Sequence, residues 1–367
     1  MSLRFLIMAG GTGGHVFPAL AVAEALIKQG HKVEWLGTSK GLEAKVVPTA
    51  GIHLHCLNIS GLRGRGLRQM LLAPWFILRA IFAVRRILKH YQPAAVIGLG
   101  GYVAGPGGVA AFLSGTPLII HEQNAVAGTT NRLLARFARR VLSAFPAVLP
   151  GAITIGNPLR QALYQQPEPA QRSASRLDDD LHLLILGGSL GAQALNQMVP
   201  HALSLLLREV TQLRLPHELR LQVRHQAGVQ HVQTCELAYR ERQVNASVEP
   251  FIEDVASALG WADLVICRAG ALTLAELCAV GVGAILVPYP FAIDDHQTAN
   301  AQWLVGQGGA ILAAQNSLSA ERLSRLLKEL LASPQRLHSM AEAARAAATP
   351  SATEAFVQQI LALSQKP

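Results

Sequence analysis

Short apolar runs alternate along the chain with longer stretches of helical periodicity. The runs predict strands at Phe5–Met8, Lys32–Leu36, Val96–Leu99, Leu118–His121 and Val141–Ser143, with helices filling the gaps. Strand, loop, helix and strand in repetition predict a parallel sheet with right-handed crossovers. A second series starts at Leu183–Leu186 and continues through Leu264–Cys267 and Ala284–Val287. Between the two series lies the stretch from Gln165 to Asp180, which holds two prolines and no apolar periodicity. That composition marks an exposed loop near a domain boundary. The expectation is an α/β chain of two doubly wound, Rossmann-like domains, 1–158 and 159–349. In such sheets ligands bind beyond the carboxyl ends of the strands.

One predicted helix, Pro74 to Lys89, is apolar on two sides, with proline in its first turn. At 100° per residue, Phe76, Ile77, Ala80, Ile81, Val84, Ile87 and Leu88 form a wide face that a sheet can cover. The other side sets Trp75, Leu78 and Phe82 among Arg79, Arg85, Arg86 and Lys89. Large apolar groups flanked by cations suit a bilayer interface. A domain or oligomer interface would use the same pattern. The run falls short of the roughly 20 apolar residues a membrane span needs, so the expected attachment is peripheral and reversible.

Three strand exits are rich in glycine. Gly10, Gly11, Gly13 and Gly14 surround Thr12 and precede His15. Glycine lets the backbone turn sharply and approach a ligand closely, and the helix that follows offers free N–H groups to an anion. The dinucleotide fingerprint fails, because the match from Gly11 reaches Val16, and no P-loop lysine follows. The second loop runs from Gly98 to Gly108 and includes Gly100, Gly101 and Tyr102; the third is Gly187–Ala192. Three such turns in two domains point to phosphorylated ligands on both.

Polar residues gather at other strand exits. His121-Glu122-Gln123-Asn124 is not a zinc motif, since Ala125 stands where the second histidine would be. Arg268 to Glu276 places a carboxylate in a helix after a small-residue turn, where it could accept both hydroxyls of a ribose or merely complement the helix dipole. From Pro288 to Asn300, Asp294 and Asp295 are candidate helix caps, and Gln297 is placed to read sugar hydroxyls.

Composition narrows the classes. Half the residues are hydrophobic and 15% are charged, which suits strands buried on both faces. The net charge of +9 is uneven: residues 1–150 carry +12, residues 151–367 carry −3. A basic half seeks an anion, and without interleaved aromatics that anion is lipid or phosphate rather than nucleic acid. Cys56, Cys235, Cys267 and Cys278 have no metal or disulfide spacing and read as reduced thiols, two of them in the core. Met1 to Arg4 run directly into a strand, so a cytoplasmic protein without a secretory signal is expected.

Together GGTGGHVFPAL, GLGGYVAGPGG, HEQNAVAG, GNPLR, GGSLGA, RAGALTLAE and PFAIDDHQTANA closely resemble the MurG family. These are the bacterial transferases that add N-acetylglucosamine to the lipid-linked muramyl-pentapeptide of peptidoglycan synthesis. The segments run from Gly10 to Ala301 in the family's order, about 80% of the chain. The resemblance implies the glycosyltransferase B fold, two Rossmann-like domains facing across a cleft. It implies UDP-N-acetylglucosamine as donor and undecaprenyl-pyrophosphoryl-muramyl-pentapeptide (lipid I) as acceptor. The product is lipid II, with a new β-1,4 linkage formed by inversion, without metal or cofactor. It further implies a closing helix, 350–364, packed back on the first domain, and a place at the cytoplasmic face of the inner membrane, with other cell-wall enzymes as further candidate partners.

Carried over by position, Thr12, Gly13, Gly14 and Asn124 contact the donor from the first domain, and Arg160 reaches it from near the hinge. Ser189 matches the diphosphate site and Ile252 lies by uracil. Ala271, Leu272, Thr273, Leu274, Ala275 and Glu276 embrace the nucleoside, with Glu276 on ribose, and Gln297 contacts the sugar. Gly100, Gly101 and Tyr102 match the acceptor pyrophosphate site. His15 is the candidate base, because imidazole titrates near neutrality, with Glu122 in reserve. An epimerase of the same fold, or a nucleotide-sugar sensor docking on a protein through Trp75, Leu78 and Phe82, are the alternatives.

Overall fold

The computed structural model describes residues 2–59, 67–175, 180–188, 191–212 and 220–364. It divides into two compact units: Met1–Arg160 with the chain from Thr349 onward, and Gln161–Ala348. The strands of the first unit are β1 (Arg4–Met8), β2 (Lys32–Gly37), β3 (His53–Cys56), β4 (Ala95–Gly98), β5 (Leu118–Glu122), β6 (Arg140–Ser143) and β7 (Ile153–Thr154). Those of the second are β8 (Leu181–Leu186), β9 (Leu221–Gln226), β10 (Ser247–Glu249), β11 (Leu264–Cys267), β12 (Gly283–Leu286) and β13 (Ala310–Leu312).

The helices follow in chain order: α1 (Gly13–Lys28), α2 (Glu43–Thr49), α3 (Leu67–Tyr91), α4 (Ala104–Leu113), α5 (Thr129–Leu134), α6 (Pro169–Ser175) and α7 (Gln193–Gln212). Then come α8 (Val232–Glu241), α9 (Val255–Trp261), α10 (Ala271–Val280), α11 (His296–Gly306), α12 (Ala320–Leu331), α13 (Pro334–Ala346) and α14 (Ala352–Ser364). Proline at the first turn of α13 and left-handed Gly281 after α10 show the sequence setting the ends of helices.

Both sheets are parallel, in the orders β3-β2-β1-β4-β5-β6-β7 and β10-β9-β8-β11-β12-β13. Strand order reverses between β1 and β4 in one and between β8 and β11 in the other, so each sheet has one switch point for a ligand. The central strands are apolar throughout: Phe5 to Met8 and Leu264 to Cys267 are fully buried. Such runs need cover on both faces. In the first unit α1 and α14 cover one face, where Phe356, Val357 and Ile360 join the β1 core, and α3 and α4 cover the other.

Five strands were not expected from the sequence: β3, β7, β9, β10 and β13. Three of the four cysteines, not two, are buried. Helix α3 begins seven residues before Pro74, which therefore lies inside it and not in its first turn.

Candidate functional site

The four chain segments leaving the two switch points are the glycine loops after β1, β4 and β8 and the small-residue turn after β11. The first two pack directly on each other. A Cβ on Gly101 would lie 2.3 Å from the main-chain oxygen of Gly10, and both Gly100 and Gly101 have positive φ. Only glycine fits such a contact without displacing backbone. The resemblance implies an acceptor role for these two glycines; the structure adds that Gly101 lets the two loops meet and that Gly100 makes room for the His15 ring.

The loop after β1 is held from behind by Glu43, which is fully buried. Its carboxylate accepts hydrogen bonds from Gly11 N at 2.9 Å, Thr38 N at 2.9 Å and Thr38 Oγ1 at 2.7 Å. Gly10, Gly37 and Gly41 line its side chain so closely that a Cβ on any of them would collide with it. This residue was missed in the sequence. It sits in a different element, and one carboxylate at a helix start reads as ordinary dipole complementarity.

In front of Glu43, α1 starts at Gly13, with Thr12 exposed at its N-cap and its side chain making no capping bond. The first-turn N–H groups of a helix have no intrahelical acceptor, so this end is suited to an anion. His15, partly buried on that turn, meets Gln123 Oε1 through Nδ1 at 3.2 Å. Its ring is packed on Gly100, where a Cβ would lie 2.7 Å from Nδ1. Arg160 carries its guanidinium 5.4 Å from the ring centre of Phe17, and a Cβ at Gly13 would touch that same ring at 3.0 Å. A cation over an aromatic face is attracted to it, which holds Arg160 beside the α1 N-terminus.

At the exit of β5, Glu122 is buried and all its acceptor capacity is in use. Oε1 accepts from Asn124 N at 3.0 Å and Asn124 Nδ2 at 3.3 Å; Oε2 accepts from Gly128 N at 3.1 Å and Asn131 Nδ2 at 2.9 Å. A carboxylate with four donors in place shapes its loop and is poorly suited to take a substrate proton. The reserve-base assignment is corrected accordingly, and Asn124 is positioned by it. His121 stacks on Phe356 at 5.3 Å and meets Gly156 O through Nε2 at 2.9 Å. Burial, partly countered by that bond and by Glu122, pushes its pKa down to about 4.

In the second unit the loop after β8 leaves no room for a side chain at Gly187 and Gly191. A Cβ on Gly191 would lie 2.2 Å from Ala227 O, and one on Gly187 2.7 Å from Gln226 O. Ser189 lies outside the described residues. Helix α10 starts at Ala271 behind Gly270, with no side chain capping it. Leu272, Thr273, Ala275 and Glu276 are partly exposed on it, whereas the side chains of Ala271, Leu274 and Ile252 are buried. Any contact these three make with a ligand runs chiefly through main-chain groups. Arg268 bonds Val287 O, Pro288 O and Gln315 Oε1 and lies over Tyr289, stitching the exits of β11 and β12 together.

The amide oxygen of Gln297 accepts from Tyr289 N at 2.8 Å, so the group it turns toward a ligand is its NH2. Asp294 and Asp295 both have left-handed backbone, and Asp295 bonds the hydroxyl of Thr298 at 2.7 Å instead of a backbone N–H. The expected capping by Asp295 is corrected: at the N-cap position its side chain makes no bond to a helix N–H. Two adjacent non-glycine residues in that region mark a strained turn beside Gln297.

On α3, Ala80, Ile81, Val84 and Leu88 are buried and Ile87 partly so, as the periodicity requires. Phe76 and Ile77 are not: they are exposed together with Trp75 (59%), Leu78 and Phe82 (61%), among exposed Arg79, Arg85, Arg86 and Lys89. A helix of 25 residues is about 37 Å long, whereas the strands beneath span about 17 Å. The helix overruns the sheet, and Trp75, Phe76, Ile77, Leu78 and Phe82 are left exposed among the described residues. Phe112 and Leu113 of the neighbouring α4 are exposed as well. Among the described residues no helix is long and apolar enough to cross a membrane.

Comparison with known proteins agrees with this geometry. The glycosyltransferase family 28 N-terminal domain matches residues 5–143 and that family's C-terminal domain residues 182–356. A UDP-N-acetylglucosamine–N-acetylmuramyl-(pentapeptide) pyrophosphoryl-undecaprenol N-acetylglucosamine transferase of Alkalilimnicola ehrlichii is 56% identical over 96% of each chain. One of the same name from Marinobacter nauticus is 52% identical over 98% of this chain and 97% of its own. The crystal structure of Acinetobacter baumannii MurG superposes with a TM-score of 0.81 at 42% identity, over 98% of this chain and 99% of that one. A putative UDP-N-acetylglucosamine 2-epimerase of Listeria monocytogenes reaches 0.65 at 13% identity, over 98% and 96%, a likeness of fold alone.

Proposed function

Because this chain belongs to glycosyltransferase family 28, we propose that it transfers N-acetylglucosamine from its UDP ester to the 4-hydroxyl of the muramyl sugar of lipid I, giving lipid II. The observation that carries this reading is near-full-length identity of 56% and 52% to two transferases named for that reaction. The glycine-loop geometry at both switch points agrees with it.

In this reading the reaction is a direct displacement. The 4-hydroxyl oxygen bonds to the anomeric carbon, the bond from that carbon to the diphosphate breaks, and UDP leaves with its electron pair. The hydroxyl proton passes to His15. The second unit binds the donor: Gly187–Ala192 with Ser189 and the following helix meet the diphosphate, and Glu276 takes the ribose. Main-chain groups of Ile252, Ala271 and Leu274, with Leu272, Thr273 and Ala275, surround the nucleoside, and the Gln297 amide donates to the sugar. Preorganised N–H groups are most effective where negative charge grows in the transition state. The first unit supplies His15, the α1 terminus with Thr12, Gly13 and Gly14, and Asn124 and Arg160. Its loop with Gly100, Gly101 and Tyr102 takes the acceptor pyrophosphate.

The exposed apolar residues of α3, ringed by four cations, support peripheral attachment to the anionic cytoplasmic face of the inner membrane. Each cation near such a surface adds about 1 kcal/mol. Acceptor-dependent release of UDP tests the reaction. Replacing His15 by alanine lowers turnover at saturating acceptor by about 10²–10⁴-fold; unchanged turnover removes His15 as the base.

A further inference from the structure

Gln123 is buried immediately after β5, and both ends of its side-chain amide are spoken for. Nε2 donates to Leu99 O at 2.7 Å, which leaves Oε1 facing His15 Nδ1 at 3.2 Å. The main chain is fixed too, since Gln123 O accepts from Asn157 Nδ2 at 3.2 Å. Turning the amide over would set its oxygen against the Leu99 carbonyl, acceptor against acceptor. The orientation is therefore determined by the fold.

An amide oxygen can only accept, so His15 Nδ1 must carry the hydrogen between them. A neutral imidazole with its proton on Nδ1 has its lone pair on Nε2. The ring lies against Gly100, where a Cβ would stand 2.7 Å from Nδ1, so only glycine leaves it this place. The bond also survives the reaction, because Nδ1–H still donates to Oε1 when Nε2 has taken a proton.

We propose that Gln123 is a positioning residue that locks His15 in the Nδ1–H tautomer and so presents Nε2 as the proton acceptor for the sugar hydroxyl. This rests on the reading of His15 as the base. The choice of partner fits the task. A carboxylate in the same place would favour the charged imidazole, whereas a neutral amide orients the ring without adding charge. His121, which interacts electrostatically with His15, has its pKa pushed by burial down to about 4 and so adds no charge beside it near neutral pH.

The test reads the tautomer directly. The full-length protein, labelled with ¹⁵N in its histidines, is examined by long-range ¹H–¹⁵N correlation, with the His15 signals identified by their loss in His15→Gln. The expected result is the Nδ1–H form in the wild type above its titration range. Gln123→Leu, of similar size, should give a mixture of tautomers. Its kcat should fall about 10–100-fold with KM for the donor changed less than about twofold, a split that general destabilisation does not produce. An Nε2–H tautomer in the wild type overturns the proposal, and so does Gln123→Leu with unaltered tautomer and kcat. If His15→Gln keeps full turnover, the base assignment fails instead. The two failures are separate, because the tautomer is read without turnover.

Discussion

The carboxylate of Glu43 holds the main-chain N–H of Gly11 at 2.9 Å from inside the protein. The same group bonds Thr38 twice, so one buried side chain ties the loop after β1 to the end of β2. Glu43→Ala leaves those donors without an acceptor, and orphaned partners of a buried charge are costly. The expected loss is about 2–4 kcal/mol in the first unit's unfolding transition, measured by urea denaturation, together with weaker donor binding. Unchanged values for both would mean the loop does not depend on this anchor.

Gly100→Ala adds a methyl group 2.7 Å from His15 Nδ1, at a position with φ of +106°. Strain and crowding of this kind cost about 1–3 kcal/mol. Turnover should fall more than stability, because the imidazole is what must move. Gly101→Ala meets backbone rather than a side chain, at 2.3 Å from Gly10 O, and should be the more destabilising of the two in thermal unfolding.

Leu78 and Phe82 lie exposed on α3 amid Arg79, Arg85, Arg86 and Lys89. Leu78→Glu with Phe82→Glu should abolish flotation with anionic vesicles while leaving turnover on a water-soluble acceptor analogue within about twofold of the wild type. Continued flotation of the double variant would assign the patch to another surface.

Stability should depend on pH in both units. His225 is buried between Tyr239 OH at 2.8 Å and Asn196 Oδ1 at 3.0 Å, and burial pushes its pKa down to about 3. His121 in the first unit is pushed down to about 4. In the unfolded chain each titrates near 6.5, so below that pH the unfolded state binds more protons. Stability is therefore full above about pH 6.5 and is lost as pH falls toward 3–4, by up to about 1.4 kcal/mol per pH unit for each histidine. Urea midpoints at pH 7 and pH 5 measure this; equal midpoints would contradict it.

Much of the fold is legible because the central strands are buried on both faces and hence apolar without interruption, as Leu264–Cys267 is. Strands β3 and β9, which were not expected, lack that signature. Strand β3, His-Leu-His-Cys, lies at a sheet edge, partly exposed. Strand β9 lies inside its sheet yet carries Arg224 and His225, whose side chains are met by partners distant in sequence: Glu249 for Arg224, Tyr239 and Asn196 for His225. The glycine loops were readable for the same local reason as the strands. What supports them was not: Glu43 behind Gly11 and Gln123 beside His15 act across 32 and 108 residues, and pairings of that range leave no periodic trace. The exposure of Phe76 and Ile77 was not legible, because periodicity tells which residues share a face, not how far the sheet extends beneath it.

The central claim is tested most directly by giving the purified protein UDP-N-acetylglucosamine labelled in the sugar, with and without a lipid I analogue in anionic vesicles, and following the label and UDP together. The account predicts label in the lipid fraction, one UDP released per sugar transferred, and neither without acceptor. Donor binding without transfer, or label appearing in the 2-epimer of the donor, would contradict it.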